Sequence, residues 1–361
     1  QLYTGPLTVN ATTQFRVRAY GSAGQVGPIE TATYVLATSS VANFNSDLPV
    51  IVLDNFNQGV PDREFQDSSF ALYDIDPNTG RSSLTNPADV TSVIGQHKRG
   101  KSTFASQDDK PNLRIELRDE FGADQNISLL GMPSESDWIL YAPWTIDRTM
   151  VRHALIYDLS RQTGTWAPRT RFVEVYSNFT GGTLSDSDYR GVYVLMEVIK
   201  RDDSRVDISE LTPSQNSAPE ITGGYILQID EQAPDGDPND ESWLTSRGLN
   251  ATGGYFNHSE PERRDLTLAQ RDYIRDYVQD AEDALYGPNF TDPVLGYEAF
   301  FDVEAAIDYH LFNTFSGNPD AFRLSTYFTK DRAGKLTYGP LWYFDRAMRP
   351  DEDDRTEDPT K

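Results

Sequence analysis

The chain has 361 residues, 37% of them hydrophobic and 12% aromatic, enough for one large packed domain and a smaller companion. Acidic residues outnumber basic ones 56 to 32, giving a formal charge of −24; such a surface repels phosphate backbones and argues against a nucleic-acid partner. Cysteine is absent, which excludes disulfides, thiolate nucleophiles and Cys-ligated metals, and no apolar run reaches membrane-spanning length.

Residues 1–37 read as β-structure, since Gln14 to Tyr20 and Glu30 to Leu36 both alternate with period two. Two or three strands are too few to stand alone. The segment is therefore expected to be part of a β-sandwich, and the chain a piece of a longer parent. Residues 38–47, rich in Ser and Asn, read as a linker.

The main domain is expected over 48–350, opening with the apolar strand Leu48 to Asp54. Mixed β-structure runs to about Ile208. One helix interrupts it, from about Asp147 to Gln162, with Val151, Leu155 and Leu159 as its buried face. Asp230 to Glu241 is dense in carboxylates around Gly236; it reads as a solvated acidic loop, with Ca²⁺ binding as the alternative.

The second half turns helical. Thr267-Leu268-Ala269-Gln270 is a capping box, Ile274, Val278, Ala281 and Leu285 form a stripe, and Gly287-Pro288 stops the helix. A second helix starts near Asp302, buries Val303, Ile307, Leu311 and Thr314, and ends at Ser316-Gly317. Residues 351–361 form a charged tail. Strands first and helices later indicate an α+β fold in two lobes.

From Asn318 to Met348 the pattern predicts a β-hairpin with arms 323–330 and 335–344 around Asp331-Arg332-Ala333-Gly334, with Gly in the left-handed position. With Lys330 opposite Lys335, Asp320 falls opposite Asp345. Two carboxylates placed so can hold a divalent metal or divide base and metal roles; spacing alone favours an acidic hairpin mouth facing solvent. Strand alternation predicts Tyr343 and Asp345 on one face, with Trp342 and Phe344 on the other, in the core.

Ordered motifs extend this reading. Asn318-Pro319-Asp320 and Pro340-Leu341-Trp342-Tyr343-Phe344-Asp345 resemble the N-x-D and P-W-D-x-D motifs of the CotH family, atypical kinases named for spore coat protein H. Leu129 to Pro133, Asp137 to Leu140, Tyr189 to Tyr193 with Glu197, and Gly223 to Leu227 with Asp230 resemble further blocks of that family in its order. The match departs at Tyr343, where the family has Asp, and at the inserted Leu341. Tyr3 to Pro6 and Arg18 to Tyr20 resemble the end of the fibronectin-III-like domain found at chitobiase C-termini.

The resemblance implies an atypical protein-kinase-like fold that uses ATP with Mg²⁺ or Mn²⁺. Its substrate would be a Ser/Thr-rich secreted or surface protein, in an extracellular, bacterial setting. It implies Asp320 as catalytic base supported by Asn318, and Asp345 with Asp320 as metal ligands. Lys110 and Arg114 would meet ATP phosphates and Glu197 would hold one of those cations, with a surface salt bridge as the equal alternative; Tyr141 is a candidate to stack on adenine, with core packing as the favoured alternative. Two other readings compete. One is a degenerate, non-catalytic binding or structural module; the other is a Ca²⁺-stabilised adhesin-type module.

Overall fold

The computed structural model describes residues 2–100, 109–142, 144–232, 242–248 and 254–348. They fall into two compact units, one of residues 1–150 with 169–198, the other of 151–168 with the chain from 199 onward. The fold is α+β, with strands dominating the first unit and helices α3 and α4 late in the second.

In the first unit, β1 (Thr13–Tyr20) and β2 (Val26–Tyr34) pair with each other in a two-stranded antiparallel sheet. The stretch expected as a linker is structured. Thr38 caps the short helix α1 (Ser39–Ala42), and β3 (Asn45–Ser46) pairs with β6 (Ser82–Ser83). Val41 on α1 is fully buried against Val50, Val52, Tyr176 and Leu184, which ties this stretch to the main body of the unit.

That body is a closed barrel. Its strands are β4 (Val50–Asp54), β5 (Gln66–Tyr73), β7 (Val90–Lys98), β8 (Leu113–Arg118), β9 (Asp137–Tyr141), β10 (Thr170–Asn178) and β11 (Tyr189–Glu197). They close in the order β10-β11-β9-β8-β7-β5-β4, with β4 parallel to β10 and every other pairing antiparallel. Closure leaves no edge strand exposed for pairing with other chains. Along β8, buried Leu113, Ile115 and Leu117 alternate with half-buried Arg114, Glu116 and Arg118, so apolar side chains point inward. They meet Ile51, Leu53, Phe70, Ile94 and Trp138 in one core.

The second unit holds a four-stranded antiparallel sheet in the order β13-β12-β14-β15. Its strands are β12 (Tyr225–Asp230), β13 (Tyr255–Glu260), β14 (Thr326–Lys330) and β15 (Leu336–Tyr338). Helix α3 (Leu268–Tyr286) carries the expected capping box and buries Ile274, Val278 and Ala281, but Leu285 is exposed.

Helices α2 (Arg152–Gln162) and α4 (Val303–Ser316) bury other faces than their aliphatic spacing predicts. On α2 the buried residues are His153, Ile156, Tyr157 and Ser160, because Tyr157 packs on Trp342 and Phe344 and His153 on Tyr343. On α4, Ile307 is 53% and Leu311 57% exposed, while Tyr309, Asn313 and Ser316 are buried. Tyr309 packs on Tyr338 and Phe322, and its hydroxyl meets Thr326 Oγ1 at 3.2 Å. In both helices aromatic and hydrogen-bonding partners, not aliphatic count, choose the buried face.

The predicted hairpin forms, but it is shorter and shifted by one residue. Lys330 pairs with Leu336 and Phe328 with Tyr338, so its register does not set Asp320 opposite Asp345. The loop closes on Asp331, whose carboxylate accepts from the Ser209 and Arg332 backbone N–H groups and whose carbonyl accepts from Gly334. The left-handed residue there is Ala333, not Gly334.

Candidate functional site

Helix α4 delivers the Asn318–Asp320 loop. Asp302 caps its start by accepting from Ala305 N, and Gly317 ends it in the left-handed conformation at φ 56°. Only glycine adopts that conformation without steric cost. Asn318 then acts as a bracket. Its Oδ1 accepts from Asp320 N at 3.2 Å, and its Nδ2 donates to Asn313 Oδ1 at 3.0 Å and to the Tyr343 carbonyl at 3.2 Å.

The last of these bonds joins the two sequence motifs. They meet through a side-chain bracket, where strand pairing had been expected. Past Gly339 the chain leaves the sheet, and Tyr343 sits at φ 63°. The alternation argument for Tyr343 and Asp345 therefore lapses. Trp342 and Phe344 are nevertheless buried, as expected, through their contacts with Tyr157. The segment is pinned from α2: Phe344 N donates to His153 Nε2 at 3.3 Å, and Arg152 donates to the Asp345 carbonyl at 2.9 Å. The Asp345 side chain is buried.

Asp320 lies between two arginines that the sequence reading missed. Arg323 Nη2 is 2.9 Å from its Oδ1, and Arg346 Nε is 3.8 Å from its Oδ2. Arg346 follows Asp345 directly, a second tie between the motifs. Four non-glycine residues flanking the pair, Phe322, Ser325, Tyr343 and Met348, have positive φ. Backbone strain of this kind concentrates where surrounding structure holds functional groups in place.

In the barrel unit the other expected residues are dispersed. Lys110 Nζ donates to the Val192 carbonyl at 2.7 Å and lies 5.1 Å from the Tyr193 ring centre; burial pushes its ammonium below the ordinary lysine range. Arg114 pairs with Asp137 at 2.8 Å. Glu197 is fully buried and takes Arg169 instead, through Nη1 at 2.6 Å and the backbone N–H at 2.8 Å. The expected pairing of Glu197 with Lys110 or Arg114 is thus corrected. Lys110 is held at the Val192 carbonyl and Arg114 by Asp137, whereas Arg169 precedes β10, which pairs with β11. Tyr141 is 1% exposed in β9, which leaves no ring face open for stacking.

The glycines of Gly223-Gly224-Tyr225 have a structural reason. A Cβ on Gly223 would lie 2.0 Å from Arg332 N, and one on Gly224, at φ 98°, 2.6 Å from the Ser209 carbonyl. Residues 233–241 of the acidic loop lie outside the described residues. Among those described, no group of three or more His, Asp or Glu side chains is arranged to hold a metal, and no helix is long and apolar enough to cross a membrane. A Mg²⁺ ion commonly takes only one or two carboxylates, with phosphates and water completing its shell.

Comparison with curated proteins finds no match. The family model described as CotH kinase protein matches residues 97–361, a span holding both motifs and most of the barrel. On that match, the chain belongs to the CotH kinase protein family.

Proposed function

We propose that this domain transfers the terminal phosphoryl group of ATP to a Ser or Thr hydroxyl of a secreted or surface protein. The observation that carries the reading is the Asn318 bracket, which fixes Asp320 to the segment bearing Asp345 within a chain of this family. The kinase-like two-lobed arrangement and the extracellular, bacterial setting belong to the same proposal and rest on the family resemblance.

Asp320 is the proposed base. It takes the hydroxyl proton as the new O–P bond forms and the bond to ADP breaks. Asn318 orients it through the Asp320 backbone N–H. Asp345 and Asp320 would hold Mg²⁺ or Mn²⁺, which neutralises charge on the phosphates when bound. Arg323 and Arg346, the cations beside Asp320, are proposed to offset charge on the transferred group. Tyr141 has no part, being enclosed.

Tyr343 favours a second reading, a non-catalytic module, because a phenol stands where the motif resemblance implies a metal-binding carboxylate. Radiolabelled phosphate transfer to a Ser-rich peptide, with calorimetry of ATP in Mg²⁺ and Mn²⁺, separates the two. Transfer that vanishes in Asp320→Ala, and binding and transfer that both vanish in Asp345→Ala, support the kinase. Absence of both in the native chain and in Tyr343→Asp supports the module.

A further inference from the structure

The second unit contains a cavity of about 180 Å³ between the sheet and the C-terminal part of α3. Drug-sized ligands occupy about 300–1,000 Å³, whereas a cavity of about 150 Å³ accepts benzene, so this one suits a single small group and not a nucleotide. Phe256, Phe328, Tyr338 and Phe301 form a continuous wall, their successive ring centres 6.0, 4.5 and 6.2 Å apart. Tyr286 and Phe322, both exposed, stand at the mouth.

One carboxylate, that of Glu282, reaches the lining. Its Oε1 accepts from Thr245 Oγ1 at 2.6 Å and its Oε2 from Arg247 N at 3.2 Å. Each oxygen thus keeps capacity for another donor. A neutral apolar guest would cover this charge without compensating it. A group with a greasy stem and a cationic head suits both features, with methylenes against the rings and charge toward Glu282. The unit already uses ring faces this way: the Arg247 guanidinium lies 4.6 Å from the Tyr286 ring centre, and Lys330 Nζ 4.5 Å from that of Tyr277.

We infer that this cavity is a binding site for an alkylammonium group, either a free amine or the side chain of a lysine in a partner. Neither Asp320 nor Asp345 lines this cavity, and the inference does not depend on phosphoryl transfer.

The test is calorimetric titration of the full chain with n-butylammonium and, as its neutral isostere, 1-butanol. N-butylammonium and N-acetyl-lysine amide distinguish the two sources. We expect saturable binding of the cations, about tenfold or more tighter than the isostere. Glu282→Gln should weaken it by a similar factor. Tyr286→Ala, at an exposed mouth position, should weaken it with Glu282 intact. Stronger binding of butylammonium than of the lysine amide identifies a free amine, and the reverse a side chain. Absence of saturable cation binding, equal binding of the isostere, or indifference to both variants would overturn the inference.

Discussion

The residue that decides most is Tyr343, at φ 63° with its ring 5.8 Å from His153. Left-handed backbone costs most residues about 1–2 kcal/mol, and Asp and Asn bear it best because their short polar side chains bond locally. An Asp at this position therefore suits the backbone as well as a metal. Tyr343→Asp should tighten Mg²⁺–ATP binding about tenfold or more, because a further carboxylate beside the dication adds at least ~1.4 kcal/mol. Calorimetry of ATP with and without Mg²⁺ checks this, and a metal-independent gain would contradict the assignment. At Asp320, replacement by Asn keeps the shape but removes the base, so transfer should fall about 10²–10⁴-fold with ATP binding nearly intact. A matching loss of ATP binding would mean that Asp320 serves the metal alone.

At the scale of elements, α4 and the β14–β15 hairpin position the Asn318–Asp320 loop, and glycines set their geometry. Gly317→Ala places a Cβ on a left-handed cap and should cost about 1 kcal/mol. Phosphoryl transfer should fall with it, since the cap aims Asn318. Gly223→Ala meets the Arg332 backbone and should cost about 3 kcal/mol or more. Urea unfolding of the two variants checks the order; a Gly223→Ala chain as stable as the parent would refute the close-approach explanation. Local signals made much of this legible in sequence. The Thr267–Gln270 box, the Asp302 cap and the Gly317 stop all stand where short-range chemistry predicts them. The hairpin register was not legible, because Asp331 closes its loop on Ser209, which is 122 residues away. Nor were the α2 and α4 faces, set by Tyr157 and Tyr309 against aromatic partners distant in the chain. The partnership of Arg169 with Glu197 follows only from barrel order.

Across the whole molecule, a net charge of −24 contrasts with a cation held inside it. Lys330 is 1% exposed on β14, and its ammonium donates to the Thr222 and Asp331 carbonyls at 2.6 and 3.2 Å. Burial pushes it down to about 8 from the ordinary 10.5. Below pH 8 folded and unfolded chains both carry this proton, and the cost of burying the charge is present in full. Between about pH 8 and 10.5 the unfolded chain keeps the proton that the folded chain has released, so stability rises with pH. Tyr277 and Tyr309, pushed up to about 12 by burial, act oppositely, since above pH 10 the unfolded chain ionises them first. A stability maximum is therefore expected between these ranges, with a gain of about 1 kcal/mol from pH 7 to pH 9 attributable to Lys330. Lys330→Met removes the titrating group while filling similar volume, so its urea midpoint should vary less over that interval. Parallel pH profiles for parent and variant would show that Lys330 keeps its proton throughout, stabilised by the two carbonyls and the Tyr277 ring.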